Sequence, residues 1–468
     1  MMAARDFAAA RRLVTGLAAT LIAALSAQAV AAQDATPAID ARLSGWTAAS
    51  AYLRLAEDDL LAGAGLRGAL AVDGYAFDSI GFRFALEGYS NVAGLADSAD
   101  WAWSQPDPLS VVATANGRLA LALDLKEAWL DFALGDLDVR LGKQLVAWGL
   151  ADGNNPTDNV DARHVGTRLV STLDEQKMGS IAANLVWNLP GNLGTVQWLF
   201  LPVSVPNDMP SIANTISAGP MTIVIEEDSA PEVAWSAVEG GLRSLFYVGN
   251  LSFSASWLSF LDRYPDFGIS MVPMTVTLTP FHSRVNQFGL DAAWLSGGWD
   301  LRAEGALALT ADAAGTDDGI KNSWASGVVQ ASRSFLDGAM TASVAWAPRY
   351  VFDHVAPTAG ATDTVSMLAQ YNGQAYAFEH VGSVRLAGKF LGETLQPEAM
   401  FLAELQARDW LVTASATYNL ADGVNLKGGA GFYGSFRDAG DPERVWGTFS
   451  NSRTIDKDYL YLELRLSF

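Results

Sequence analysis

Residues 457–468 read Lys-Asp-Tyr-Leu-Tyr-Leu-Glu-Leu-Arg-Leu-Ser-Phe. Leu460, Leu462, Leu464, Leu466 and Phe468 fall on every second position, and Tyr459, Tyr461, Glu463, Arg465 and Ser467 fill the positions between. A β-strand sends successive side chains to opposite faces, so this segment predicts a strand with one oily face and one charged and aromatic face. The pattern alone fits two settings, a soluble sheet with a dry core or a wall between lipid and water. The same alternation recurs upstream. Ile80, Phe82, Phe84 and Leu86 oppose Arg83 and Glu87, and Leu301 and Leu307 stand apart from Asp300, Arg302 and Glu304. Arg385 and Lys389 oppose Leu386 and Phe390, while Asn425, Lys427, Tyr433, Ser435 and Arg437 oppose Leu426, Phe432 and Phe436.

The connections between these segments alternate in length. Short turn sequences sit at Gly135-Asp136, Pro190-Gly191-Asn192, Gly249-Asn250, Gly297-Gly298, Asp337-Gly338, Gly392-Glu393 and Asp422-Gly423. They have the composition of tight hairpins. Between one hairpin and the next lie segments rich in Pro, Asp, Asn, Thr and Gly, near 90–118, 150–177, 205–231, 264–282, 312–319, 353–376 and 439–456. Short turns at one end and long loops at the other predict an all-β, antiparallel up-and-down transmembrane β-barrel. With strands near Leu43–Ala56, Leu66–Val72 and Ala76–Tyr89 the count reaches about eighteen strands, sixteen being the other even solution. Two outer connections fit this scheme poorly: Glu57–Gly65 lacks the character of an outer loop, and Gln406–Asp409 is unusually short for one.

At the amino terminus Arg5, Arg11 and Arg12 precede an apolar run from Leu13 to Leu25 and a small-residue stretch through Ala27, Ala29, Ala31 and Ala32. This predicts a signal peptide over residues 1–32 and a mature barrel over 33–468. The run is shorter than the roughly 20 apolar residues a spanning helix needs, and charged or polar residues interrupt every later apolar stretch. The chain has no cysteine, which excludes a disulfide framework and thiolate metal sites. Its 15 tryptophans suit the aromatic girdles of a barrel. Beyond residue 32 there remain 27 of the 30 basic and 50 of the 51 acidic residues, a balance of −23 that excludes nucleic acid as a partner. Acidic residues gather in the expected loops, at Asp97, Asp100 and Asp107, at Glu226, Glu227 and Asp228, and at Asp312, Asp317 and Asp318. They read as solvated loops, as an entrance that concentrates cations, or as anchors for divalent ions bridging to lipopolysaccharide.

Two features resemble a known class. A terminal strand closing on an aromatic residue, Phe468, is similar to the assembly signal of Gram-negative outer-membrane β-barrels. Leu125–Asp161 holds Lys126-Glu127-Ala128-Trp129-Leu130-Asp131-Phe132, the Gly135-Asp136 turn, Arg140-Leu141-Gly142-Lys143-Gln144, then Trp148-Gly149 and a loop rich in Asn, Pro and Asp. This hairpin resembles one shared by porin-like outer-membrane barrels of the alginate-export and uncharacterised porin type. The resemblance covers under a tenth of the chain. It implies a channel, an outer-membrane location, lipid and lipopolysaccharide as surroundings, and the barrel-assembly machinery as a partner; it carries no substrate.

Sorting by face gives the residues expected to line the interior: Arg83, Glu87, Asp131, Arg140, Gln144, Arg302, Glu304, Arg385 and Lys427. Across the Gly-Asp turn Arg140 comes within reach of Asp131, and broken alternation at Lys126-Glu127 predicts a bulge. Gly142 would allow a close backbone approach. The 150–177 segment has two readings, a loop folded into the pore or one held outside. Asp152, Asn154, Asp158 and Asp161 are a weak set of oxygen ligands for a divalent ion, without the frame or closing Glu of an EF-hand. The four histidines, His164, His282, His354 and His380, form no recognisable nucleophile or metal motif. The expectation is a non-enzymatic channel without cofactor, passing small hydrophilic solutes or ions. The alternatives are a channel for hydrophobic substrates and a structural or adhesive barrel without an open pore. Neither the solute nor the oligomeric state is legible.

Overall fold

The structure is a computed structural model and describes residues 39–468 except 56–60, 92–108, 116–117, 152–154, 166–174, 209–214, 219–220, 229–230, 232–233, 360–362, 439 and 447–457. The expected signal peptide lies outside the described residues. Eighteen antiparallel strands form the wall: β1 (Ile39–Arg54), β2 (Leu61–Ala76), β3 (Ile80–Asn91), β4 (Arg118–Leu134), β5 (Leu137–Gln144), β6 (Ser180–Asn188), β7 (Gly194–Leu201), β8 (Glu239–Val248) and β9 (Leu251–Leu261). They continue with β10 (Arg284–Ser296), β11 (Trp299–Leu309), β12 (Trp324–Phe335), β13 (Met340–Val351), β14 (Phe378–Gly388), β15 (Leu395–Glu404), β16 (Asp409–Ala421), β17 (Val424–Ser435) and β18 (Tyr459–Ser467). Each pairs with its neighbours in sequence, and β18 pairs with β1 from Trp46↔Ser467 to Arg54↔Tyr459. The ring is therefore closed and leaves no free edge.

The alternation read from the sequence is the alternation of the wall. Leu460, Leu462, Leu464 and Leu466 are exposed on the outside, Leu462 to 54%. Leu290, Phe288, Trp294, Trp257, Trp198, Leu386 and Val384 are exposed in the same way. An outer surface this apolar has no place in water, where large contiguous apolar patches are rare.

Eight tight turns join the strands at one end. Most carry glycine at positive φ, as at Gly135 (64°), Gly297 (59°) and Gly423 (71°). The turn at residues 77–79 differs, with Phe77 and Asp78 in the left-handed region at 53° and 55°. The sequence predicts strands near Leu66–Val72 and Ala76–Tyr89, whereas β2 runs unbroken to Ala76. Gly74 stands within that strand because a β-carbon there would strike the Asp40 carbonyl on β1.

The long connections carry structure of their own at the other end. Thr215–Ala218, Met221–Ile225, Thr275–Phe281 and Asp266–Val272 form a four-stranded sheet within 205–231 and 264–282, segments that the sequence predicts as long loops. Ile225, Phe267, Val276 and Leu278 bury themselves there with Leu368 of the helix Thr364–Asn372. Asp363 caps that helix through the Ser366 amide, a bond that holds its carboxyl below the usual carboxylate range. Gln406–Asp409, short as expected, holds only the turn between β15 and β16.

Candidate functional site

The interior is lined by the opposite set of side chains, and one connection runs through it. β5 leaves the wall at Gln144, only eight residues from its turn, and the chain rejoins at Ser180. Ser110–Ala115 takes the place of β5 beside the upper part of β4. β4 bulges at Lys126, the residue skipped between Ala85↔Glu127 and Leu86↔Leu125, as the broken alternation predicted. The bulge lets Lys126 reach Glu87 at 2.7 Å. Gly142, at φ 125°, lies where a β-carbon would meet the Ala128 carbonyl, so the close approach expected of it is made by the neighbouring strand.

The described residues between Gln144 and Ser180 fold inward and are held at both sides of the ring. Val146, Trp148 and Val160 pack on Leu199, Leu201, Leu258, Phe260, Val285 and Ala308, all from β7, β9, β10 and β11. Glu304 on β11 accepts from the amides of Leu150 and Ala151 and, at 3.0 Å, from the Thr157 hydroxyl. Arg302 donates to the Leu150 carbonyl at 2.7 Å, Asn159 donates to Gln287 at 2.7 Å, and Arg263, paired with Glu239 at 2.6 Å, donates to the Val160 carbonyl. The far end docks where the ring closes. Glu175 pairs with Arg465 of β18 at 3.0 Å and Arg67 of β2 at 3.5 Å, and its carbonyl accepts from Lys126 of β4. β11 and β2 are nine strands apart in a ring of eighteen, so the segment crosses the interior. Of the two readings of this segment, the inward one is the arrangement found.

The nine residues expected to line the interior fall into two groups by burial. Arg83 bonds Glu127 at 2.7 Å, Arg140 bonds Asp131 at 3.1 Å and stacks on Trp129 at 4.0 Å, and Arg385 bonds Glu398 at 2.8 Å. Lys427 lies over the Tyr461 ring, and Arg302 also pairs with Asp300. These are partly open to the lumen. Glu87, Gln144 and Glu304 are buried, Gln144 completely, and serve as anchors beneath the surface. Gln144 donates to the Ala182 carbonyl and accepts from Asn184, which accepts from Gln197, which in turn accepts from Trp148 Nε1. A buried polar group of this kind costs free energy unless every donor and acceptor is met, and this chain meets them.

Asp158 and Asp161 are taken up by the segment's own fold. Asp158 pairs with Lys177 at 2.7 Å and Arg163 at 3.0 Å and accepts from the Trp148 amide; Asp161 accepts from the Val146 amide and the Ser180 hydroxyl. Asp152 and Asn154 lie outside the described residues, and among those described no group of three or more His, Asp or Glu residues could hold a metal ion. Lys389 and Arg437, sorted inward by sequence, stand beyond their strands. Lys389 is in a turn beside Glu393, and Arg437 pairs with Asp441 and Glu443 above β17. Arg67 and Glu175 carry no signal in the sequence, and the pairing of Glu463 with Arg67 joins residues 396 apart, while Arg67 and Glu175 are 108 apart.

Charge is distributed unevenly between wall and loops. The eighteen strands hold 16 basic and 16 acidic residues, whereas the described residues of the long connections hold 7 and 18. Several of those basic residues are buried against carboxylates, as Lys321 is against Asp266 at 2.8 Å. Glu226, Glu227, Asp317, Asp318, Asp353, Asp363 and Asp438 are exposed, against Arg408 as the exposed basic residue.

No family model matches the chain, and no curated protein matches its sequence. Solved structures do share its architecture. OccAB2 of Acinetobacter baumannii aligns over 92% of this chain and 98% of its own with a TM-score of 0.53 at 9% identity. OccK9 (OpdG) of Pseudomonas aeruginosa aligns over the same shares with a TM-score of 0.51 at 16% identity. OpdK of Pseudomonas aeruginosa, solved with vanillate, gives 0.51 at 12% identity over 92% and 98%. At these identities the likeness is one of fold.

Proposed function

We propose that this protein is an outer-membrane channel for passive diffusion of small hydrophilic solutes and ions, and that it performs no covalent chemistry. The carrying observation is a closed ring of eighteen strands, apolar outside and ionic inside, whose interior is crossed by one anchored segment. A ring this wide cannot fill itself with its own side chains, so water occupies what the segment leaves. The segment limits the size of what passes, and the lumen charges act on its sign. Lipid and lipopolysaccharide surround the wall, and the barrel-assembly machinery inserts it. An apolar-solute channel would need an oily path through the lumen, and the inward faces of β3, β4, β5, β11 and β14 carry ion pairs instead. Vesicles reconstituted with the full mature chain swell in isosmotic solutions of small neutral solutes and stop swelling above a size limit. Swelling no faster than that of protein-free vesicles would refute the proposal.

The exposed carboxylates around the loop end attract cations toward the mouth. In a salt gradient the reversal potential therefore favours cations. The preference shrinks between about 0.1 M and 1 M salt, as the screening length falls from roughly 10 Å to 3 Å. A preference unchanged over that range would assign selectivity to fixed charges inside the segment's constriction.

A further inference from the structure

The long connections enclose a cavity of about 50 Å³, none of whose lining residues comes from the crossing segment. Its walls belong to two connections, the one between β11 and β12 and the one between β13 and β14. Gln374 pins the two together, accepting from the Asn322 amide at 2.9 Å and donating to the Asn322 carbonyl at 2.8 Å. The Asn322 side chain adds a bond to the Asp353 carbonyl at 3.0 Å. The cavity is thus shaped before anything enters it.

Part of the lining is apolar, made by Ile320, Val355, Val365 and Leu368. The rest is polar and includes acceptors without donors. Asn372, the last residue of the helix Thr364–Asn372, has a buried side-chain oxygen with no hydrogen-bond partner. The next carbonyl is already met, since Arg349 donates to Gly373 at 2.6 Å. His354 Nε2 lies 3.1 Å from the Gln374 carbonyl, which can only accept, so in the neutral ring this nitrogen carries the proton and Nδ1 is left as an acceptor. Asp318 contributes an exposed carboxylate, and no lysine or arginine is among the described lining residues. An acceptor buried without a donor carries a cost that a bound donor recovers.

We propose that this cavity is a binding site for a short primary ammonium ion, of about the size of ethylammonium, within the loop cap. An ammonium head has three donors and no acceptor, which matches the Asn372 oxygen, His354 Nδ1 and the Asp318 carboxylate. Its alkyl end leaves water for Ile320, Val365 and Leu368. Volume sets the length. One water-sized group takes about 10–15 Å³ of such space, so this cavity takes a ligand of roughly three heavy atoms. A divalent cation seeks about six or more oxygens, and the lining offers a single carboxylate beside apolar side chains. An anion would meet Asp318 without a lysine or arginine to offset it. The site lies outside the lumen lining and stands apart from the channel reading.

The test is isothermal titration calorimetry of the purified protein in neutral-detergent micelles with ethylammonium, blanked against protein-free micelles. A saturable heat is expected. Affinity should fall about tenfold or more in Asn372→Leu, which removes a hydrogen bond to a charged group, and several-fold in Asp318→Asn. Asp318 is exposed, so its variant reads the site without disturbing the fold. Tetramethylammonium, which has the charge but no N–H and is wider, should give no saturable heat. Absence of saturable heat with ethylammonium would mean that the cavity holds water alone and would overturn the proposal. Equal affinity in wild type and Asp318→Asn, equal binding of tetramethylammonium, or displacement of ethylammonium by an equal concentration of calcium would overturn it as well. Because binding is read without ion current, none of these outcomes bears on whether the barrel conducts.

Discussion

Replacing Glu304 with Ala is expected to free the inward segment and raise single-channel conductance. The Glu304 carboxylate gathers the amides of Leu150 and Ala151 and the Thr157 hydroxyl while itself only 6% exposed. Removing it leaves three donors without their acceptor in a place where hydrogen bonds to a charged group contribute most, a loss of about 2–4 kcal/mol of docking free energy. That corresponds to a shift of roughly 30- to 1000-fold in the equilibrium between docked and released segment. The apolar contacts of Val146, Trp148 and Val160 remain, so the segment loosens rather than leaves. Larger and noisier current steps than wild type, with strand content unchanged by circular dichroism, would show this. Conductance equal to wild type would mean that Glu304 is a dispensable brace.

Leu462→Arg is expected to cost about 2–4 kcal/mol of stability in a bilayer, because Leu462 projects from the middle of β18 into the apolar exterior. The same arginine at Ser383 on β14 faces the lumen, where Arg385 already sits beside Glu398, and should be tolerated within about 0.5 kcal/mol. Urea unfolding of both variants from lipid vesicles compares the two faces directly. Equal stabilities would mean that the outer face does not meet hydrocarbon, which would undo the assignment of inside and outside.

The wall was legible in the sequence because its physics is local. Period-two alternation at Leu460–Phe468 or Ile80–Glu87 is imposed by the pleat, and turns such as Gly135-Asp136 and Gly297-Gly298 announce themselves by needing left-handed φ. The turn at Phe77-Asp78 hid because its left-handed residues are not glycines, while Gly74 nearby answers a different need, the approach of the Asp40 carbonyl. The Arg140–Asp131 pair was readable from the hairpin alone. What could not be read is whatever requires closure. Glu175 meets Arg67 and Arg465 only once β18 has joined β1, and Glu304 meets residue 150 only once the segment crosses the ring. Alternation sorted Glu304, Glu87 and Gln144 inward but cannot tell a side chain that faces water from one covered by the segment.

The central claim is a water-filled passage through a closed ring set in lipid, and single-channel current in planar bilayers tests it most directly. The purified, refolded protein should insert to give discrete, long-lived steps of ohmic current. A protein that remains folded and monodisperse in buffer without detergent, and that gives no current at any voltage, would contradict it.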